Sequence, residues 1–406
     1  MTITGSREKD GSAKRALVLA YACEPGLGSE NGVGWEWVKI ISRRNETWVI
    51  TRESNRPAIE AELPKNPLYN IHFIFFDYPK WSRFWKKGRR GIHLYYLLWQ
   101  AAVFFIAKRL HKELKFDLAH HLTFVSDWMP SCLAFLPVPL IWGPVGSHNV
   151  PLKPFYGDPA ALIYELARKI LYTTAHYNPF VIFTRWKARK IIAINKCVAR
   201  KFAGYSGKVI TVPAIAVTIP GLEPRSRGSK TKILFAGSLV HWKGAIFAVE
   251  AYKRFASINE NSELLIAGEG PCRGRIEDII RQGRLQDKVK LLGLLPQQEL
   301  FKLMDEADIF LYPSFEGAGM VVLEAMAHGD PVVCLDWGGP GEFVDERCGI
   351  KVKALARRDI IEGLSAALER LASCPDLAGS MGRSAREKAV LYSWEEKEKA
   401  INAVYG

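Results

Sequence analysis

The 406-residue sequence lacks the marks of several common classes. Cysteine is sparse: seven residues (Cys23, Cys132, Cys197, Cys272, Cys334, Cys348 and Cys374), odd in number, widely scattered, with no CxxC pair and no Cys/His cluster. That excludes a disulfide-stapled miniprotein and a zinc site of finger type, and it suits free thiols in a reducing cytoplasm. No long hydrophobic run is present. The longest, residues 94–107, is broken by Gln100 and is shorter than the roughly 18–20 residues of a spanning helix. Residues 1–14 are polar and of mixed charge, with no apolar core of a secretory signal, so a cytoplasmic location is expected. Acidic residues are in deficit: 42 Asp+Glu against 56 Lys+Arg, a net charge of +14. Such a balance calls for an acidic partner, whether nucleic acid, an anionic membrane or a phosphate-bearing substrate. Apolar content is ordinary at 48%, which excludes a disordered or fibrous chain.

The excess charge is regional. Residues 79–115 hold ten Lys/Arg against Glu113, and residues 160–208 hold ten against Glu165, a net +9 in each, which leaves the rest of the chain at −4. Trp81, Phe84, Trp85, Tyr95, Tyr96, Trp99, Phe104 and Phe105 are interleaved with the first set. Cations mixed with Trp and Tyr suit a bilayer interface. They also suit single-stranded nucleic acid, or two core helices with solvated basic faces. No nucleic-acid-binding module is apparent, and a nucleic-acid partner is not expected.

Short apolar runs at 16–22, 47–51, 70–77, 116–124, 139–142 and 191–195 read as strands. Helical patterns lie between them, the first from about 32 to 44. Residues 213–230 hold three prolines and two glycines and read as a linker. A second series of strands follows at 232–236, 263–267, 288–292, 308–312 and 331–335. Strands alternating with helices imply βαβ units. The fold class is therefore α/β: two Rossmann-like, doubly wound parallel-sheet domains, 1–213 and 231–382, joined by a linker at 214–230 and facing a central cleft. A last helical stretch, 383–406, is placed to cross back onto the first domain.

In such sheets ligands lie beyond the carboxyl ends of the strands. The richest loop there is 314–331, SFEGAGMVVLEAMAHGDP. A helix should start near Gly319 and stop at Gly329-Asp330-Pro331. Its N-terminus would offer free N–H groups and a positive dipole end, a ready site for phosphate, with Glu316 in the loop and Glu324 more than a turn into the helix. Alternatively this is a capped helix with one buried and one surface glutamate. The loop 237–244, GSLVHWKG, sets Ser238 and Lys243 before another helix, where Lys243 can reach a diphosphate or simply be solvated. GEGP at 268–271, with Gly270, and GGPGE at 338–342 follow two further strands. In the first half, residues 22–35 follow the first strand, but Asn31 stands where a GxGxxG fingerprint needs glycine. His120 and His121, adjacent on a strand, point to opposite faces, so one can look into the cleft while the other is a core histidine.

Glu316-x7-Glu324 with Gly319 and Ala325-Met326-Ala327 resembles the signature of family 4 retaining glycosyltransferases. GSLVHWKG, GEGP, GGPGE and SWEEKEKAINAVY at 393–405 resemble its surroundings. SENGVGWEW (29–37), HHLTF (120–124) and IWGPVGS (141–147) are similar to a bacterial polysaccharide-biosynthesis subgroup. The resemblance implies a GT-B fold and a nucleoside-diphosphate sugar as donor substrate, with no cofactor. By motif position Glu316 would face the donor sugar, Glu324 the ribose, Lys243 the diphosphate and the backbone of Gly319–Val321 the phosphate and sugar. Gly32 would close the phosphate side, and His120 or His121 would be the cleft histidine. Relatives carry Arg where this chain has Ser238, and Arg273 or Arg275 could compensate. No Asp-x-Asp motif occurs, so no metal is expected. The acceptor expected is a glycan or a polyprenyl-diphosphate-linked one, and the basic aromatic stretches suggest that a peripherally bound enzyme reaches it at an anionic membrane surface through residues 79–115 and 160–208. A GT-B epimerase or phosphorylase and a catalytically inactive sugar-nucleotide-binding protein are the alternatives.

Overall fold

The computed structural model describes residues 13–86, 91–147, 150–221 and 230–406. Two parallel sheets organise it. The first holds seven strands: β1 (Arg15–Ala20), β2 (Glu46–Thr51), β3 (Ile71–Phe75), β4 (Leu118–Thr123), β5 (Leu140–Val145), β6 (Ala188–Ala193) and β7 (Val209–Thr211). Its order is β3-β2-β1-β4-β5-β6-β7. The second holds β8 (Thr231–Ala236), β9 (Ser262–Ala267), β10 (Val289–Gly293), β11 (Ile309–Tyr312), β12 (Val332–Leu335) and β13 (Gly349–Val352), in the order β10-β9-β8-β11-β12-β13. Each order reverses direction once, between β1 and β4 and between β8 and β11, the doubly wound switch point where ligands bind.

Both faces of a parallel sheet are covered, so its strands are apolar throughout. β1 shows how the faces divide. Ala16, Val18 and Ala20 join a core that continues into the second domain, whereas Leu17, Leu19 and Tyr21 pack with Tyr96, Trp99 and Trp142 on the opposite face. Two strands escape the sequence pattern, β7 and β13. Both are short edge strands, which lack the continuous apolar run that marks a central strand.

The chain returns to the first domain at its end. In the Trp394–Tyr405 helix, Tyr405 shares a 2.6 Å hydrogen bond with His120 Nδ1, and Lys190 Nζ donates to the Val404 carbonyl at 2.8 Å. The passage between domains is tied down before the undescribed residues 222–229: Trp37 Nε1 donates to the Ala214 carbonyl, and the Val217 amide to the Tyr392 carbonyl. Each basic stretch includes one long helix with an exposed apolar face; the helix carries Lys108, Arg109 and Lys112 in the first stretch and Arg168 and Lys169 in the second. Ile92–Leu114 exposes Leu94, Leu97, Leu98 and Phe105, and Pro159–Ala175 exposes Ile163, Leu166, Ile170 and Leu171. Lys87, Arg89 and Arg90 fall outside the described residues. Among the described residues no helix is long and apolar enough to cross a membrane.

Lys397 lies where the closing helix meets the start of the linker. It is 5% exposed, and its ammonium donates to the Pro213 carbonyl. Burial pushes its pKa down to about 7, against roughly 10.4 in an unfolded chain. Between those values the unfolded state holds the extra proton. Stability therefore rises with pH across that window, and the full cost of burying the charge is felt below it. Lys397→Met should raise the unfolding free energy at pH 7 by about 1–4 kcal/mol. The gap to wild type should close toward pH 10, as read by urea denaturation at the two pH values. A pH-independent gap would contradict the assignment.

Candidate functional site

The carboxyl ends of both sheets open onto one cavity of about 530 Å³. Its second-domain wall is built from the loops after β8, β9, β10 and β11: Gly237, Ser238 and Lys243; Gly268; Leu294 and Leu295; Glu316 and Ala318. Glycine is required where two of these loops cross, because a Cβ on Gly268 would lie 2.0 Å from the Gly237 carbonyl oxygen. Gly270 lies behind the wall, against Leu239. The first domain contributes Ser29, Glu30, Val125, Pro144 and Gly146. A chamber of about 360 Å³ adjoins it and shares Ser29, Val33, Met320 and Glu324 as walls; Gly32, Thr218 and Trp394 line its far side.

Three side chains form the polar centre. Lys243 ends a short 3-10 turn, and Gly244 then caps the Ala245–Ala256 helix. Lys243 Nζ pairs with Glu316 Oε2 and lies 3.0 Å from the Tyr312 hydroxyl, which donates to the same carboxylate oxygen at 2.6 Å. Burial and the adjacent Glu316 charge hold the Tyr312 pKa well above the ordinary phenol value, so the phenol keeps its proton. Ser314 Oγ accepts the Glu316 amide at 3.1 Å and fixes the loop. The Met320–Ala327 helix points its N-terminus at this centre, capped by left-handed Gly319 (φ 76°). Its amides supply the positive end of a dipole beside Lys243. Glu324 lies inside the helix, 9% exposed, with Gln297 Nε2 donating to it at 3.1 Å. Burial raises its pKa, and the Gln297 bond opposes that rise.

The first domain closes over this centre. Asn195 Nδ2 donates to the Gly317 carbonyl at 2.9 Å, and the Lys196 amide to Glu342 at 2.7 Å.

Glu316, Glu324, Lys243, Ser238, Met320 and Val321 therefore line the cavity, Gly319 caps the helix behind it, and Gly32 sits at the adjoining chamber. The histidines do not reach the cleft. His120 is buried between the Tyr405 hydroxyl and the Gly143 carbonyl, both at 2.6 Å, and desolvation lowers its pKa to about 4. His121 is buried on the opposite face against the Tyr96 hydroxyl, with its pKa lowered to about 3 by burial and by His120. They do point to opposite faces of β4, but both faces there are packed. The compensation expected from Arg273 or Arg275 also fails geometrically. Arg273 pairs with Glu269 and Glu277, and Arg275 with Asp158 of the first domain. Lys243 is the one cationic side chain among the described residues lining the cavity.

Sequence reasoning missed two members. Tyr312 reads as a buried strand residue, and its hydroxyl is revealed only by the fold. Glu30 lines the cavity from the first turn of the Ser29–Ser42 helix. Its carboxylate accepts the amide of Phe124, which holds a left-handed φ of 60° at the end of β4, and desolvation raises its pKa. An acidic residue in the first turn after a glycine-rich loop was the available signal.

Residues 223–388 match the family model described as glycosyl transferases, group 1. Glycogen synthase of Mycobacterium tuberculosis is 33% identical over 184 residues, 45% of this chain and 44% of that protein. The amylovoran biosynthesis glycosyltransferase AmsK of Erwinia amylovora is 35% identical over 146 residues, 32% of this chain and 36% of that one. The chain thus spans less than half the length of these two relatives. Among solved structures, Anabaena HepE in complex with UDP and glucose superposes with a TM-score of 0.63 at 15% identity, over 96% of this chain and 99% of that one. The two doubly wound sheets and this superposition give the fold: GT-B.

The helix N-terminus depends on Gly319. A Cβ there would sit 2.7 Å from Pro340 Cδ, in addition to the unfavourable φ. Gly319→Ala should cost about 1–3 kcal/mol in denaturant unfolding; an unchanged midpoint would show that the cap tolerates rearrangement.

Proposed function

We propose that this chain is a retaining glycosyltransferase that moves a hexose from a nucleoside-diphosphate sugar to a hydroxyl of a glycan acceptor. The observation that carries the reading is the convergence of Lys243, Glu316 and the amide end of the Met320–Ala327 helix on one cavity between two doubly wound domains. The group 1 match over 223–388 covers the domain that supplies them.

In this reading the donor's diphosphate lies against Lys243, Ser238 and the helix amides, the ribose against Glu324, and the sugar hydroxyls against Glu316. The bond between the anomeric carbon and the diphosphate oxygen breaks as the acceptor oxygen approaches from the same face. The acceptor proton passes to the departing phosphate. Negative charge grows on that phosphate, and the preorganised cation and amides stabilise it more than they stabilise the bound donor. The proposal assigns this task to Lys243 and the backbone, without a metal or cofactor. The first-domain contacts to Gly317 and Glu342 favour a closed cleft that keeps water from the sugar.

The acceptor we propose is a glycan on a polyprenyl diphosphate, met at the inner face of the cytoplasmic membrane during cell-surface polysaccharide synthesis. Two observations support this. AmsK, a relative, is named for amylovoran biosynthesis. The first domain also exposes Leu94, Phe105, Ile163, Ile170, Tyr177 and Trp186 among its basic residues, a mixture suited to an anionic lipid surface.

Nucleotide release from a panel of UDP-, GDP- and ADP-sugars, with lipid extract as acceptor source, tests the chemistry. Lys243→Ala and Glu316→Ala should each lower turnover by about 10²–10³, and no release from any donor by wild type would overturn the reading. Sedimentation with vesicles tests the surface. Binding should require anionic lipid and weaken with salt; equal binding to neutral vesicles would remove the electrostatic part.

A further inference from the structure

The loop that carries Lys243 is held from the first domain. Between β5 and β6 the chain leaves that domain and lies across the second. Phe155, buried, stands edge-on to His241 at 5.3 Å and packs on Phe315 at 5.5 Å and Phe247 at 6.0 Å. Asp158, which caps the Pro159–Ala175 helix, pairs with Arg275. Two turns further on, Glu165 is 2% exposed, and its Oε1 lies 2.7 Å from His241 Nε2 and 3.4 Å from Arg168 Nη1. The Arg168 guanidinium lies 5.2 Å from the Trp242 ring centre, and Tyr164 lies parallel to the same indole with centroids 6.1 Å apart. Trp242 in turn offers its carbonyl to the Phe315 amide at 2.8 Å. Two residues followed by Lys243, and the residue preceding Glu316, are thus gripped by one first-domain segment.

A buried carboxylate is costly unless it is satisfied. Glu165 lines neither the cavity nor the adjoining chamber, so contact with substrate there does not explain it. Its partner His241 is two residues from Lys243, in a loop that the first domain also grips through Arg168 and Tyr164 on Trp242. We propose that Glu165 is a positioning residue. Through His241 it sets the 241–243 turn so that Lys243 meets the donor diphosphate, making donor grip conditional on the first domain being docked. This rests on the glycosyltransferase reading given above.

The test uses the full chain and two variants approaching the contact from opposite domains, Glu165→Ala and His241→Ala, with Glu165→Gln as the conservative control. Three readouts are combined. The first is affinity for the nucleoside diphosphate that binds best in the panel, against affinity for the corresponding nucleoside. The second is the split of donor KM from kcat. The third is amide exchange of the peptide 238–244. Each truncation should weaken the diphosphate by about tenfold, within the range for residues in direct contact, and leave the nucleoside unchanged. Exchange in 238–244 should rise, and the double variant should be no worse than either single one. Glu165→Gln, which can still accept from His241, should recover most of the affinity. Equal loss for nucleoside and diphosphate would overturn the proposal in favour of a merely structural contact, as would unchanged exchange or additive effects in the double variant. If wild type binds no nucleotide, the glycosyltransferase reading fails, and the exchange measurement alone decides whether Glu165 holds the loop.

Discussion

The arrangement of the cavity turns on the pairing of Lys243 with Glu316. Lys243 is 19% exposed and Glu316 26%, so neither charge is fully hydrated. Each needs the other while the cavity is empty, and the Tyr312 hydroxyl completes the set by donating to the same carboxylate oxygen. A diphosphate carries its own negative charge and competes for Lys243. In the proposed reaction the cation exchanges one anion for another. Glu316 is released as an acceptor for sugar hydroxyls, at the position where the sugar must lie. In the empty cleft Lys243 and Glu316 neutralise each other, and on that reading an occupied cleft gains a second cation–anion contact. This also explains how a site for an anion contains a carboxylate.

That pairing can hold only if two loops from different strands keep their spacing. The crossing of Gly237 under Gly268 fixes one, and the Ser314 hydroxyl on the Glu316 amide fixes the other. Beneath them a single apolar core runs from β1 through Phe155 into Phe235, Phe247 and Phe315. The domains meet through this core as well as through polar contacts at the cleft rim. The Pro159–Ala175 helix has two sides with different duties: Ala161 and Glu165 are buried against the second domain, whereas Ile163, Leu166, Ile170 and Leu171 are exposed. Its sequence looked ambiguous because helical periodicity reports that a face is apolar, not what covers it.

Much of the architecture was legible beforehand. Short apolar runs located eleven of the thirteen described strands closely enough to place the loops, and the glycine-rich loops then marked the carboxyl ends of the second sheet. β7 and β13 were missed because edge strands need not be apolar. Glu316, Lys243 and Ser238 could be assigned to loops, and Glu324 to the helix that follows one, from chain order alone, since a strand's end fixes where its loop opens. His120 and His121 could not be settled that way. Alternation puts them on opposite faces, but whether a face is open or packed depends on the Tyr405 helix, which arrives 285 residues later in the chain. Arg273 and Arg275 failed for a related reason. Proximity in sequence to a phosphate loop says nothing about competing carboxylates, and Glu269, Glu277 and Asp158 claim both.

The charge balance divides along the same lines. The chain carries +14 overall, yet one cationic side chain lines the cavity among the described residues. Ser238 can donate a hydrogen bond but no charge, so the helix amides beyond Gly319 take a larger share of any phosphate held there. Backbone dipoles are fixed by the fold and need no counter-ion when the site is empty, whereas a second lysine or arginine would need a second Glu316. Glu316 balances that single cation, while the other lining carboxylates, Glu30 and Glu324, are held by the Phe124 amide and by Gln297. The two basic stretches of the first domain, 79–115 and 160–208, do not enter that balance, since none of their cations lines the cavity among the described residues.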